Sequence, residues 1–154
     1  MPSVTNSFRA LSAALLLILL LPLAACADDS RLVIKSRNGD HAFTVELVDT
    51  PSGRAKGMMF RTALAPDAGM LFDFKEIRPV AFWMQNTLIP LDMLFITHEG
   101  LVANIHVNAR PMDTTSIPSD GPVEFVLEIP GGRSVELGIT AGDRVVHDRI
   151  VGGN

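Results

Sequence analysis

A mostly β fold of the α+β class is what this sequence predicts, on three observations. Apolar residues recur with a period of two over several segments, the mark of strands with one buried face. Helical patterning is confined to two short pieces. The only cysteine is Cys26, so packing rather than internal disulfides must hold the domain, and thiol catalysis and zinc–thiolate sites are excluded.

Taken in order, the chain begins with a targeting segment. Arg9 and the amino terminus precede an almost unbroken apolar run from Leu11 to Leu21. A run of about eleven residues matches a signal-peptide core and is too short for a spanning helix of about 20. Leu23-Ala24-Ala25-Cys26 looks like a bacterial lipobox. It predicts export, lipidation of Cys26 and a periplasm-facing protein anchored to a membrane. Ala25-Cys26-Ala27 also fits ordinary signal cleavage, which predicts instead a soluble periplasmic protein beginning at Asp28. The expected organisation is a signal over 1–26, a linker over 27–31, a single domain over 32–150 and a tail over 151–154. Such a domain is long enough to bury one core. The chain carries 13 Lys and Arg against 17 Asp and Glu. No basic cluster is present to grip a polyanion, so nucleic acid is not an expected partner.

Phe43, Val45 and Leu47 alternate with Ala42, Thr44 and Glu46, the first half-buried antiparallel strand. Thr50 then supplies an N-cap and Pro51 a first helical residue whose missing N–H is harmless. The helix is expected to reach about Leu64, with Arg54, Met58 and Arg61 on one face. Gly57 inside it costs about 1 kcal/mol relative to Ala, which hints at close approach of another backbone. Leu91 to Ile96 is apolar on nearly both faces and belongs at the centre of the fold. The turn His98-Glu99-Gly100 leads to a strand in which Leu101, Ala103, Ile105, Val107 and Ala109 alternate with Asn104, His106, Asn108 and Arg110. Arg110 to Pro122 is aperiodic and rich in Pro, Ser, Thr and Asp, a surface loop of a length uncommon unless it covers something. Val123, Phe125, Leu127 and Ile129 then alternate with Glu124, Val126 and Glu128. Arg133 to Leu137 is one helical turn with Gly138 as its left-handed stop, and Ala141-Gly142-Asp143 turns into a last strand, Arg144 to Val146.

Read together, Arg54-x-x-Gly57-Met58-Met59-x-Arg61, Gly69-Met70-Leu71-Phe72-x-Phe74, Phe82-Trp83-Met84-x-Asn86-Thr87-x-Ile89-Pro90-Leu91-Asp92, Val126-Leu127-Glu128 and Gly138-Ile139-x-x-Gly142-Asp143 form an ordered set. In order and spacing it resembles the domain of unknown function 192 family, over nearly the whole mature chain. The resemblance implies a compact, barrel-like, mostly β single domain, often exported in bacteria. It implies no established activity and no catalytic residues to carry over.

The residues suggest chemistry only by their setting. Trp83, Gln85, Asn86, Thr87 and Asp92 are polar side chains within some of the most apolar sequence of the chain, a costly arrangement unless they form a network or a binding site. A flat Trp83 face with directional groups from Asn86 and Asp92 suits a sugar or another polar ring compound. Arg61, turning inward, is expected to pair with Asp92 or Glu128; without such a partner it suits a carboxylate- or phosphate-bearing ligand. The preferred reading is a non-enzymatic module of the cell envelope that binds a small ligand or a partner, with no cofactor and with Arg61, Trp83, Asn86 and Asp92 at its site. An alternative is a hydrolase or lyase of envelope glycan using Asp92 and Glu128 as a carboxylate pair. A weaker one is copper or other metal binding through Met58, Met59, Met70, Met84, Met93 and Met112 with His41, His98, His106 and His147, although Met in apolar elements usually fills core gaps. Ser119 lacks the Gly-x-Ser-x-Gly setting of a hydrolase nucleophile.

Overall fold

The computed structural model describes residues 29–150. The Leu11–Leu21 run, the lipobox with Cys26, the alternative cleavage site before Asp28 and the tail 151–154 lie outside those residues.

Strands β1 (Arg31–Ser36) and β2 (Gly39–Val48) form an antiparallel hairpin. Helix α1 (Pro51–Lys56) follows, then β3 (Ala68–Arg78), β4 (Ala81–Phe82), β5 (Leu91–Ile96), β6 (Val102–Ala109), β7 (Ile117–Pro118), β8 (Val123–Pro130), α2 (Arg133–Leu137) and β9 (Arg144–Val146). Seven strands make one curled sheet in the order β6-β5-β8-β3-β2-β1-β9, and β4 pairs with β7 alone. The fold is mostly β, as expected, but it is a half-barrel whose two ends meet in the isolated bridge Leu101–Arg144. It is also not wholly antiparallel, because β2 and β3 run parallel. Parallel neighbours need a crossover rather than a tight turn, and α1 with the segment after it supplies one.

Both faces of this sheet are covered. One packs Leu32, Phe43, Leu71, Leu94, Leu127 and Val145 inside the curl. The other packs Met70, Phe72, Met93, Phe95 and Val126 beneath Met58, Val80, Met84 and Ile117. Every residue of β5 is buried, as its two-sided apolar sequence requires. Each large apolar side chain removed from water in this way contributes roughly 1.5–3 kcal/mol.

Three local expectations need correction. The first helix ends at Lys56 rather than near Leu64. Thr50 does cap it, accepting the Gly53 N–H, but Gly57 adopts φ +47° and its N–H closes on the Gly53 carbonyl. A Cβ there would meet the Phe72 ring at 3.3 Å, so the close neighbour is a side chain, not a backbone. The β6 alternation breaks because its register against β5 shifts twice, between its pairings with Ile96 and Phe95 and between those with Met93 and Leu91; Asn108 is left-handed at φ +55° and Val107 is exposed. In β8, Val126 and Glu128 were expected on a polar face, yet both are buried under the second layer. The Arg110–Pro122 connection forms part of that layer: β7 pairs with β4, Ile117 is buried, and Ser119 Oγ accepts the Val80 N–H and donates to the Gly121 carbonyl.

Candidate functional site

Asp92 and Glu128 are set by strand register. Asp92 on β5 stands opposite Ile129, and Glu128 on β8 stands between Met70 of β3 and Met93 of β5. Successive residues of a strand point to opposite faces, so the two carboxyls lie on opposite faces of the sheet. The carboxylate pair envisaged for glycan hydrolysis is therefore not formed.

Asp92 is fully buried and fully engaged. Its Oδ1 accepts the N–H groups of Asn108 and Gly132 at 2.7 Å each. Its Oδ2 accepts the Ser134 N–H at 2.8 Å and the Ser134 hydroxyl at 2.5 Å. The Gly132 cap position offers no side chain of its own, so a carboxylate from another element satisfies the orphan donors at the start of α2. The same carboxylate holds the β6 bulge at Asn108. It is not a partner of Arg61.

Glu128 is the opposite case. It is 4% exposed, and its Oε2 has no hydrogen-bond partner among the described residues. Burial pushes its pKa up to about 8, with the Arg61 charge a smaller effect in the other direction. It is a proton-bearing acid at neutral pH. The expected pairing with Arg61 is replaced by a fork between Arg61 and Glu46 of β2, in which Nη1 donates to Oε1 and Nη2 to Oε2. That fork holds the Glu46 carboxyl below its ordinary range.

Glu128 reaches a cleft of about 300 Å3 between α1 and the segment 81–87, with Arg54, Lys56, Phe72, Phe82 and Trp83 among its walls. Phe82 stacks edge-on against Phe72, Phe74 and Phe95 and is fixed by them. Trp83 is 53% exposed and forms part of the wall; it is not a core residue. Asn86 is left-handed at φ +56°, its carbonyl accepts the Phe60 N–H at 2.9 Å, and its amide rests 3.9 Å from Met59 Sδ. It thereby ties the 81–87 wall to the turn after α1. Thr87 also faces the cleft.

The structure thus gathers Trp83, Gln85, Thr87 and Glu128 around one cleft, leaves Arg61 and Asn86 out of its lining, and sets Asp92 on the far face. Glu128 was visible in the sequence only as half of a pair. The overlooked contributors are Arg54, Lys56 and Phe82, for which a helix starting at Pro51 and aromatics beside Trp83 were the available signals. Met58, Met70, Met84 and Met93 fill the second core layer, and among the described residues no three His, Cys, Asp or Glu side chains gather as a metal site.

The DUF192 family model, described as "Uncharacterized ACR", matches residues 33–147. A solved structure of a candidate transcription regulator from Sinorhizobium meliloti 1021 is 47% identical over 76% of this chain and 92% of its own, with a TM-score of 0.74. A protein of unknown function from Novosphingobium aromaticivorans DSM 12444 is 43% identical over 75% of this chain and 82% of its own, also with a TM-score of 0.74. No curated protein matches the chain.

Proposed function

Because the chain belongs to the uncharacterised DUF192 family, which assigns no reaction, we propose from its own geometry that it is a non-enzymatic small-ligand-binding module of the bacterial envelope. Anchored through Cys26, it presents the cleft between α1 and Trp83 to small polar ring compounds such as sugars.

The buried, unpartnered carboxyl of Glu128 carries this reading. A lone acid inside a protein is destabilising, and a group of this kind on a cleft wall is where binding sites are found. As a neutral acid it offers an O–H donor to an acceptor oxygen of a ligand. Trp83 and Phe82 offer apolar faces at the same opening. A regulator role, as printed for the S. meliloti protein, gains no support from a chain with 13 basic and 17 acidic residues and no basic cluster.

Native mass spectrometry of the protein purified from its bacterial host tests the reading. A retained small molecule is expected in the wild type, and Glu128→Gln and Trp83→Ala, both still folded, are expected to lose it. Folded variants that keep the same molecule would show that it sits elsewhere and overturn the assignment.

A further inference from the structure

We infer that the cleft selects organic anions: a ring compound bearing a carboxylate or phosphate, with the anionic group at the α1 rim and the ring against Phe82 and Trp83. This inference rests on the cleft being the binding site, and deepens it by naming the ligand's charge.

The charges around the cleft point one way. Arg54 and Lys56 both line it. Arg54 Nη1 donates only to backbone carbonyls, those of Asp49 and Asp73, at 2.8 and 3.0 Å, and its guanidinium lies 5.1 Å from the Phe74 ring centroid. No carboxylate neutralises it among the described ion pairs, and Lys56 takes part in none of them either. Arg61 in the turn after α1 is matched by Glu46 of β2. The one acid on the cleft wall is Glu128, whose neighbours across β3 and β5, Met70 and Met93, are uncharged. With that acid protonated at neutral pH, the cleft carries two unmatched positive charges on a chain whose net charge is −4. An exposed cation gains little from a distant anion in salt solution, but one beside an aromatic wall at a partly enclosed site gains more. Arg54 is held in place by its two carbonyls and the Phe74 face, so its guanidinium is already ordered before a ligand arrives. A neutral Glu128 completes the arrangement by donating to an acceptor oxygen of the ring, where an ionised acid would repel the anion.

Trp83 is the only tryptophan of the chain, so its fluorescence reports on this wall alone. Four hexoses of nearly the same shape separate the charge question from the pocket question: D-glucuronate, D-glucose 6-phosphate, neutral D-glucose and cationic D-glucosamine. Titrated at pH 6.5 in low salt, at least one of the two anions is expected to bind at least tenfold more tightly than glucose, with glucosamine the weakest. Which anion leads decides between carboxylate and phosphate. Lys56→Ala should reduce the preference for the anion over glucose, and raising the pH from 6.5 to 9 should weaken anion binding more than glucose binding, as Glu128 ionises. Equal binding of the four, or a preference for glucosamine, would overturn the anion inference while leaving the cleft as the binding site. Silence of Trp83 toward all four would overturn both.

Discussion

Glu128 is held with its proton where the unfolded chain would give it up, and this makes stability depend on pH with a definite sign. The ordinary carboxyl value is 4.5 and the folded value is about 8, so between these pH values the native state binds the extra proton and stability falls as pH rises. At about 1.4 kcal/mol per pH unit the penalty at pH 7 is on the order of 3 kcal/mol. Glu128→Gln keeps the shape without the titration. It is expected to be more stable than wild type at pH 8, with the difference shrinking toward zero near pH 4.5, as read from urea midpoints at several pH values; parallel curves for the two proteins would refute the buried-acid account. Trp83 poses a simpler question. A half-exposed wall residue loses little packing when truncated, so Trp83→Ala should shift stability by under about 1 kcal/mol rather than the 3–5 of a core aromatic. Thermal unfolding decides this, and a loss of several kcal/mol would return Trp83 to the core. The sequence exposed Trp83 as unusual but could not set its burial, since a tryptophan among apolar neighbours reads alike on a wall or in a core.

At the scale of elements, β2, β5, β6, β8 and β9 were legible, whereas β1, β3, the short β4 and β7 and the irregularities were not. A run apolar on both faces placed β5, whereas period two placed β2 and β8, each of which turns an apolar face to the core. The same logic misplaced Glu128, whose cover comes from Met58, Val80 and Met84, far away in sequence. It also misread β6, where an extra residue at each of two register shifts moves the following side chains to the other face. Gly57 looked like a weak interior position of a long helix, though a residue at positive φ is better read as an end. Asp92 shows why capping can escape notice: the group that satisfies α2 belongs to β5, 40 residues before the Gly132 N–H it accepts. Asp92→Asn would turn one acceptor oxygen into an NH2 donor. Facing donors at Asn108 and Gly132 from one side and at Ser134 from the other, the amide leaves a clash in either orientation. A loss of about 2–4 kcal/mol is expected in chemical denaturation. A near-neutral effect would mean that α2 holds without this carboxylate.

For the molecule as a whole, the proposed placement at a membrane rests on Cys26. Lipidation there predicts that Cys26→Ala moves the protein from the membrane fraction to the soluble one or stalls its processing, because several acyl chains attach stably where one does not. Intact mass of the wild type is the check: a lipid-free mature protein starting at Asp28 would show ordinary cleavage instead. The half-barrel has a second large-scale property, which concerns how it fails rather than how it works. Its sheet is shut along one line by β9, which gives β1 only a three-residue partner and touches the other end of the sheet through Leu101–Arg144. That seam is also made from nearly the last residues of the domain. A chain cut short after Ala141 would leave the outer edge of β1 bare beside the unsatisfied backbone of Gly100 and Val102, which the 142–145 segment otherwise occupies. Two such molecules could complete each other's sheets, so loss of this one short strand would convert a self-contained domain into one that pairs with its own copies.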